Sequence, residues 1–388
     1  METTDAFRGL DCTATGERYD PDHVGRSDAD APLDPAYDYD AVDPADLTAD
    51  ADSMWTYDAL LPVPADRGVS AVEGATPLVP ADGFAADLGV DGVFVKDEGR
   101  NPTGTVLDRG LSLAVTMGRE HGADLFALAS PGNAGQSAAA YVERVGADVY
   151  AFLPSRAPFP NKAMVNVHGG DMRVVGGRFA DALSALHEDL QTDWYSLQEF
   201  TTPYRHDGIK TLAFEVVAEL GDRPDAVVVP TSTGEVLAGV AKGFRELRAV
   251  GATDGLPRLY AAQAAGCAPV VAAHERGVDD PEPWEHPDTI AGELEIADPA
   301  GGRFAVQAVD ESGGDAVAVD DEDVLESAVV VTQRLGTEVG ATAGAAAAGA
   351  WELADEAFDA DDTVVIVNAD AGVKTADVLR SHLMGKGI

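Results

Sequence analysis

The chain has 388 residues and a net charge of −42, with 45% hydrophobic and 24% charged residues. This length allows a large core and two domains, and the hydrophobic content is that of an ordinary globular protein. The negative charge excludes nucleic acid as an expected partner, because a polyanion would be repelled. Two cysteines, Cys12 and Cys267, are too few for a disulfide framework. No apolar run reaches about 18 residues and no signal-peptide pattern opens the chain, so we expect no membrane span and a cytoplasmic location.

The acidic excess is typical of a protein adapted to high salt. The chain has 68 acidic and 26 basic residues, and lysine stands at only six positions. High ionic strength screens the repulsion that such a surface creates. The alternative is a disordered acidic chain, which the regular apolar segments of this sequence disfavour. We therefore expect a halophilic protein.

The predicted elements follow an alternating order. Residues 1–53 are rich in Asp, Ala and Pro with weak periodicity, and predict an acidic, partly flexible N-terminal extension. Further along, short apolar strands alternate with helices. Strands are predicted at Gly92–Lys96, Leu125–Ala129, Val149–Leu153, Met172–Val175, Ala226–Val229, Leu259–Ala261 and Thr363–Val367. Helices are predicted at Arg109–His121, Asn133–Val145, Asn161–His168, Phe179–Leu190, Glu235–Val250, Asp323–Leu335, Ala341–Asp355 and from Thr375. This alternation predicts an α/β fold with parallel sheets flanked by helices.

Two adjoining motifs carry a family resemblance. Val93–Glu98 reads V-F-V-K-D-E, and Asn101–Gly110 reads N-P-T-G-T-V-L-D-R-G. Together they resemble the cofactor-lysine segment of threonine synthases, in which K-D-E is followed by N-P-T-G-S-F-K-D-R-G. Trp55–Pro62 and Glu73–Leu78 resemble the W-R-Y…L-L-P and E-G-x-T-P-L motifs of the same family. The resemblance extends from Gly9 to Lys374.

The resemblance implies a fold, a cofactor and a reaction. Threonine synthases belong to the pyridoxal 5′-phosphate (PLP) enzymes of the tryptophan-synthase β type, called fold type II. They are lyases of threonine biosynthesis that convert O-phosphohomoserine to threonine and phosphate. Their small lobe is inserted in a larger one, with PLP in the cleft. Carried over, the small lobe is 112–198 and the large lobe is 54–111 with 199–388. Family members commonly dimerise.

The residue at the family's Schiff-base position differs here. In threonine synthases a lysine forms an imine with PLP and later moves protons. This chain has Leu107 at that position, and leucine has no nitrogen. The other lysines, except Lys386 in the C-terminal tail, fall where family members also commonly carry lysine. We therefore predict no confirmed catalytic residue.

The phosphate-binding turn of the family also differs. The family text P-V-G-N-G-G-N-L corresponds to Pro230–Leu237, which reads P-T-S-T-G-E-V-L. The resemblance gives Ser232, Thr233 and Gly234 as cofactor-binding candidates, because backbone N–H groups in such a turn hold the phosphate. Glu235 stands where a glycine is expected. Its alternative role is purely structural, since a carboxylate in the first helical turn is favourable and Thr233 can cap the helix.

Two further positions complete the candidate site. The family's Thr or Ser beside the pyridine nitrogen corresponds to Ala369, so the adjacent Asn368 becomes the candidate partner. Ser130–Asn133 resembles the family's S-S-G-N, in which the asparagine binds the cofactor's 3-hydroxyl. Asn133 is therefore a candidate, although an asparagine at this position could also be a helix N-cap.

The N-terminal region resembles the small cysteine-bearing element of many threonine synthases. Gly9–Tyr19 contains Cys12, but Thr15 stands where the second cysteine of C-x-x-C-G is expected. One thiol cannot build a tetrahedral zinc site, so we predict a degenerate cysteine element and no metal.

The sequence leaves several functions open. The first is a threonine synthase-like protein that is catalytically degenerate, a pseudoenzyme without the PLP lysine. The second is an active PLP-dependent lyase that uses an unidentified lysine. The third is a non-catalytic binder of an amino-acid-like small molecule, or a regulatory subunit that pairs with an active relative as a homo- or hetero-oligomer.

The charge excess gives a first testable prediction. The melting temperature, followed by circular dichroism, should rise as potassium chloride is raised from dilute buffer to molar concentration, because salt screens the repulsion among carboxylates. A melting temperature that does not change over this range would contradict salt adaptation.

Overall fold

The structure, a computed structural model, describes residues 1–386 apart from the side chain of Asp355. The last two residues of the predicted large lobe lie outside this range. The chain forms two compact units. The first contains Met1–Ala75, Leu107–Ala218 and Lys242–Asp254, and the second contains Thr76–Val106, Glu219–Ala241 and the chain from Gly255 onward. Among the described residues no helix is long and apolar enough to cross a membrane.

Thirteen strands and thirteen α-helices make up the described chain. The strands are β1 Phe7–Cys12, β2 Arg18–Tyr19, β3 Leu33–Tyr37, β4 Leu78–Pro80, β5 Gly92–Asp97, β6 Leu125–Ala129, β7 Asp148–Pro154, β8 Asp171–Val175, β9 Tyr195–Ser196, β10 Ala226–Pro230, β11 Arg258–Ala264, β12 Ala316–Val319 and β13 Thr363–Asn368. The helices are α1 Asp82–Leu88, α2 Leu107–Glu120, α3 Asn133–Arg144, α4 Phe159–Val167, α5 Phe179–Asp189, α6 Tyr204–Ile209, α7 Thr211–Leu220, α8 Glu235–Ala249, α9 Pro269–Arg276, α10 Gly302–Ser312, α11 Asp321–Leu335, α12 Ala341–Ala357 and α13 Ala376–Gly385.

The N-terminal region of the first unit is ordered into a sheet. Strands β1, β2 and β3 pair antiparallel in the order β2-β1-β3. Burial alternates along β3, where Leu33, Pro35 and Tyr37 are buried. The sequence predicts a partly flexible extension here, and the structure differs. Pro35 makes this strand difficult to predict from the sequence. A proline is tolerated here because β3 lies at the edge of the sheet.

The first unit also contains a four-stranded parallel sheet in the order β8-β7-β6-β9. Its central strand β6 is almost wholly buried and apolar, as is typical of parallel strands covered on both faces. Helix α2 begins at Leu107, and α3 begins at Asn133 shortly after β6 ends. Two of the predicted site positions therefore lie at the first residues of helices in this unit.

The second unit is built on a six-stranded sheet in the order β12-β11-β10-β13-β5-β4. All neighbours are parallel except β4, which is antiparallel to β5. The core is dominated by valine and alanine, and α12 contributes buried alanines that let it pack closely. The predicted fold class is confirmed: the chain is α/β, with parallel and mixed sheets flanked by helices.

Three strands of this sheet stop at one edge. Asn368 at the end of β13 is the register partner of Asp97 at the end of β5. Ile366 pairs with Val228, so β10 reaches the same level at Pro230. Ligands of open α/β sheets bind at the carboxyl ends of parallel strands. This edge is consequently the part of the second unit in which a binding site is expected.

The turn between β10 and α8 requires glycine at one position. Gly234 has a φ of +88°, and a Cβ placed on it would lie 2.4 Å from the carbonyl oxygen of Gly301. The two segments are also joined by a hydrogen bond from the Gly301 N–H to the Thr233 oxygen, at 2.8 Å. Both the backbone conformation and the close approach therefore exclude a side chain here.

We predict that Gly234→Ala is more destabilising than a positive φ alone explains. Gly221 is a matched control, because its φ is +79° and no atom lies within 4 Å of a Cβ placed there. Gly221→Ala should cost about 1–2 kcal/mol of unfolding free energy for the left-handed conformation. Gly234→Ala should cost about 1–3 kcal/mol more, because the backbone at Gly301 has to move. Denaturant unfolding in molar salt measures both; equal costs would contradict the close packing of this turn.

Candidate active site

The N-P-T-G segment lies in the second unit and is held by backbone hydrogen bonds. The Gly104 N–H donates to the Asn101 oxygen at 2.8 Å, and the Val106 N–H donates to the Ala369 oxygen at 2.9 Å. Gly104 has a φ of +76°, and a Cβ on it would lie 3.2 Å from Cε of Lys374. The segment is thus fixed beside the residues that follow β13.

The turn after β10 gathers three predicted cofactor-binding residues. Ser232, Thr233 and Gly234 are consecutive, and Thr233 Oγ1 lies 3.5 Å from the Glu235 amide nitrogen. Because α8 begins at Glu235, the N-cap position belongs to Gly234, and Thr233 reaches only the first helical N–H through this long contact. The hydroxyl of Thr231, two residues before Thr233, donates to the Val229 oxygen at 3.0 Å.

Glu235 is the first residue of α8 and is only 3% exposed. The partial positive charge of a helix N-terminus stabilises an anion there, so the carboxylate is well placed electrostatically. A phosphate bound at the same helix end would lie close to this carboxylate. Two unit negative charges 4 Å apart repel by about 4 kcal/mol at an effective dielectric constant of about 20. The turn therefore opposes the binding of a phosphate.

Asn368 ends β13 and is 1% exposed. Its Nδ2 donates to Asp97 Oδ1 at 2.8 Å and to the Glu338 oxygen at 3.0 Å. The neighbouring Ala369 is buried and offers no side-chain hydrogen bond. Sequence reasoning did not single out Asp97 as a partner of Asn368. The position of Asp97 at the end of a parallel strand is the signal that could have identified it.

Leu107 is the first residue of α2 and lies in the first unit. It is intermediate in exposure, whereas the following Asp108 and Arg109 are 0% exposed. The guanidinium of Arg109 binds both carboxylate oxygens of Glu215, at 2.6 and 2.7 Å. Asp108 accepts a hydrogen bond from Ser137. These two motif residues serve the fold, and the position between them and the N-P-T-G segment holds a leucine.

Asn133 is also placed in the first unit, and is 4% exposed. Its Oδ1 accepts a hydrogen bond from Asn161 Nδ2 at 2.8 Å. Gly132 is the N-cap of α3, and the Ser130 hydroxyl accepts from the N–H groups of Gly132 and Gly135 at 3.0 and 2.9 Å. The N-cap position that the sequence allowed for Asn133 thus belongs to Gly132.

Two lysines of the first unit are buried in a network of carboxylates. Lys210 Nζ lies 2.7 Å from Asp207 Oδ1 and 3.0 Å from Glu246 Oε2. Lys242 Nζ lies 2.8 Å from Asp34 Oδ1. Burial alone would lower the pKa of Lys242, but Asp34, Glu246 and Asp207 raise that pKa far above its usual range. A lysine held as ammonium is not a nucleophile, so Lys242 is unsuited to forming an imine.

The remaining lysines are also engaged. Lys96 Nζ donates to the Thr76 oxygen at 2.5 Å and to Glu219 at 2.9 Å. Lys162 and Lys386 are bound to the Ser155 oxygen and to Glu326 respectively, each at 2.7 Å. Lys374 is 4% exposed and is the lysine whose side chain lies against the N-P-T-G segment.

The N-terminal cysteine has a hydrogen-bonding role. Cys12 is 2% exposed, and its Sγ lies 3.3 Å from the Ser27 hydroxyl oxygen. Within residues 1–386 no group of three or more His, Cys, Asp or Glu side chains could hold a metal ion.

PLP fits these residues poorly. An amine is missing at residue 107, a buried carboxylate occupies the helix N-terminus at residue 235, and an alanine methyl stands at residue 369. Asn133 is the candidate that keeps the side chain expected from the resemblance. Residues 107, 235 and 369 thus do not supply the amine, the glycine and the hydroxyl that the family resemblance implies at these positions.

Comparison with known proteins places the chain in a family. A family profile described as pyridoxal-phosphate dependent enzyme matches residues 69–370. The threonine synthase of Methanocaldococcus jannaschii is 33% identical over 80% of this chain and 77% of its own length. The threonine synthase of Mycobacterium bovis is 35% identical over 80% of this chain and 84% of its own length.

Solved structures agree with this at the level of the fold. The processed form of threonine deaminase isoform 2 from Solanum lycopersicum has a TM-score of 0.66 and 21% identity, over 78% of this chain and 86% of that one. Diaminopropionate ammonia lyase from Escherichia coli, solved with an aminoacrylate-PLP azomethine intermediate, has a TM-score of 0.68 and 17% identity, over 81% of this chain and 88% of that one. PLP is the cofactor that this kinship implies, and the chain belongs to the threonine synthase family of PLP-dependent enzymes.

Proposed function

We propose that this chain is a catalytically degenerate member of the threonine synthase family, which keeps the fold without converting O-phosphohomoserine to threonine. The observation that carries the proposal is Leu107 at the position of the Schiff-base lysine. Leucine can neither bind the cofactor covalently nor carry a proton. The carboxylate of Glu235 at the N-terminus of α8 supports the same conclusion from a second place in the fold.

The pattern of kept and lost residues supports degeneracy over a simple exchange of one lysine. Asp108 and Arg109, which directly follow the leucine, keep the family's side chains and have buried hydrogen-bond partners. Leu107, Glu235 and Ala369 replace side chains or glycines whose expected role is toward PLP. The substituted residues all concern one ligand, whereas the residues with structural roles are retained. Relaxed selection on the binding of that ligand would produce this pattern.

The function proposed in place of catalysis is binding. The chain would hold an amino-acid-like small molecule in the family's two-lobed cleft, or regulate an active relative through a homo- or hetero-oligomer. We retain the predicted lobes 54–111 with 199–388 and 112–198, a cytoplasmic location and adaptation to salt as parts of this proposal. Ser232, Thr233, Gly234 and Asn368 are the residues of the second unit proposed to bind the ligand, and Asn133 is the ligand-binding residue proposed in the first unit.

A second candidate is an active lyase that uses another lysine. The observation that favours it is Lys374, which is buried and lies against Gly104 of the N-P-T-G segment. Against it stand the carboxylate at the α8 N-terminus and the alanine at residue 369, because a lysine alone does not position a cofactor.

Reduction with borohydride in the presence of PLP separates the two candidates. We expect peptide mapping of the reduced wild-type protein to find no lysine labelled stoichiometrically, because Leu107 offers no amine. The exposed Lys386 should account for weak, nonspecific labelling that disappears in Lys386→Met. A stoichiometric label on Lys374, lost in a Lys374→Met protein that melts like wild type, would overturn the proposal in favour of the lyase.

A further inference from the structure

The end of β13 contains a buried acceptor without a donor. Within residues 1–386, no group donates a hydrogen bond to Oδ1 of Asn368, although the residue is 1% exposed. Buried acceptors are normally satisfied, so an exception calls for a ligand or an ordered water.

The orientation of this amide is fixed by its neighbours. The nitrogen of Asn368 faces Asp97 Oδ1 at 2.8 Å and the Glu338 backbone oxygen at 3.0 Å. Both are acceptors, so exchanging the nitrogen and oxygen would place three oxygens together with no proton between them. The acceptor of Asn368 is therefore committed to the remaining direction, where it can bind only a donor.

Two further side chains at this sheet edge favour a ligand that donates hydrogen bonds over one that accepts them. Glu235 places a buried carboxylate directly after the turn that follows β10. The Thr231 hydroxyl already donates its hydrogen bond to the Val229 oxygen, at 3.0 Å. Ala369 supplies a methyl group where the family resemblance gives a hydroxyl donor. A phosphate requires donors, and so does an unprotonated ring nitrogen. At Asn368 and Glu235 the edge instead offers an amide oxygen and a carboxylate.

We infer that the carboxyl edge of the second unit's sheet binds a small, phosphate-free ligand that donates hydrogen bonds and carries positive charge, such as an amine or a protonated nitrogen heterocycle. This inference rests on the proposed function, because it assigns a ligand class to the degenerate site. Asn368 Oδ1 accepts from the ligand, and the negative charge of Glu235 excludes phosphorylated analogues. We call this a reversed polarity: Asn368 and Glu235 accept hydrogen bonds at positions where the side chains and backbone of a PLP site donate them.

Pyridoxamine and pyridoxamine 5′-phosphate form a matched pair of probes for this polarity. They differ only by the phosphate, and both have a 3-hydroxypyridine ring whose zwitterionic form carries a proton on nitrogen. Neither has an aldehyde, so their binding is independent of any lysine. Calorimetry with the full-length wild-type protein should show pyridoxamine binding at least about tenfold more tightly than its phosphate, since carboxylate–phosphate repulsion amounts to several kcal/mol before screening.

Two variants test which carboxylate sets the preference. Glu235→Gln keeps the shape of the side chain and removes the charge, so the phosphorylated probe should gain about tenfold or more and the preference should vanish. Asp362→Asn is the matched control, because Asp362 is also buried in this unit, at 7% exposure, but directly precedes β13 and so lies at the opposite, amino edge of the sheet. The control should keep the wild-type preference.

Two measurements test the role of Asn368. Asn368→Ala should weaken pyridoxamine about tenfold by removing the acceptor. Independently of how that variant folds, the carbocyclic analogue of pyridoxamine, in which C–H replaces the ring nitrogen and all other groups are kept, should bind wild type more weakly than pyridoxamine.

Several results would overturn the inference. Equal or tighter binding of the phosphorylated probe to wild type would refute the reversed polarity. Binding of neither probe would mean that an ordered water satisfies Asn368. A loss of preference in Asp362→Asn equal to that in Glu235→Gln would show that the preference depends on net charge and not on the charge at this edge. A borohydride-stable PLP adduct is a different outcome, which would refute the proposed function and leave the polarity measured by the amine probes unaffected.

Discussion

The positive end of helix α8 is the constraint around which the candidate site is arranged. A helix N-terminus that follows a parallel strand presents unpaired N–H groups and a partial positive charge, and an anion stabilises it. In a PLP enzyme that anion is the cofactor's phosphate. Here the chain supplies a carboxylate of its own at Glu235, which is 3% exposed. The helix end is thereby stabilised without a ligand, at the expense of affinity for a phosphate.

The motif residues that remain have structural tasks. Glu73, from the E-G-x-T-P-L motif, accepts hydrogen bonds from Trp55 Nε1 at 2.7 Å and from the Tyr141 hydroxyl at 3.0 Å. Arg109 is paired with Glu215 through both carboxylate oxygens, and removing one partner of such a buried pair typically costs about 3–5 kcal/mol. These buried contacts give the retained motif residues a role in stability that does not depend on a cofactor.

The predictable part of the structure is the part with local signals. Strand β6 was predicted at the residues where it is found, and α3 within one residue, because apolar runs and glycine-containing turns mark their ends. Strand β3 was missed because Pro35 and its acidic neighbours hide an edge strand. Within the site, the substitutions at residues 107, 235 and 369 are visible in the sequence. The pairing of Asn368 with Asp97 is not predicted: the two residues are 271 positions apart, and the signal that connects them is that each ends a strand of one parallel pair.

The most direct test of the account is to restore the lysine with and without the phosphate-binding turn. Phosphate release from O-phosphohomoserine, with PLP added, is measured for Leu107→Lys and for Leu107→Lys combined with Ser232→Gly and Glu235→Gly. The account predicts that the single variant stays near background, because PLP is not anchored, and that the triple variant gains activity through coupled rather than additive effects. A single Leu107→Lys variant that turns over as fast as the triple variant would contradict it, since the turn after β10 would then hold the cofactor with Glu235 in place.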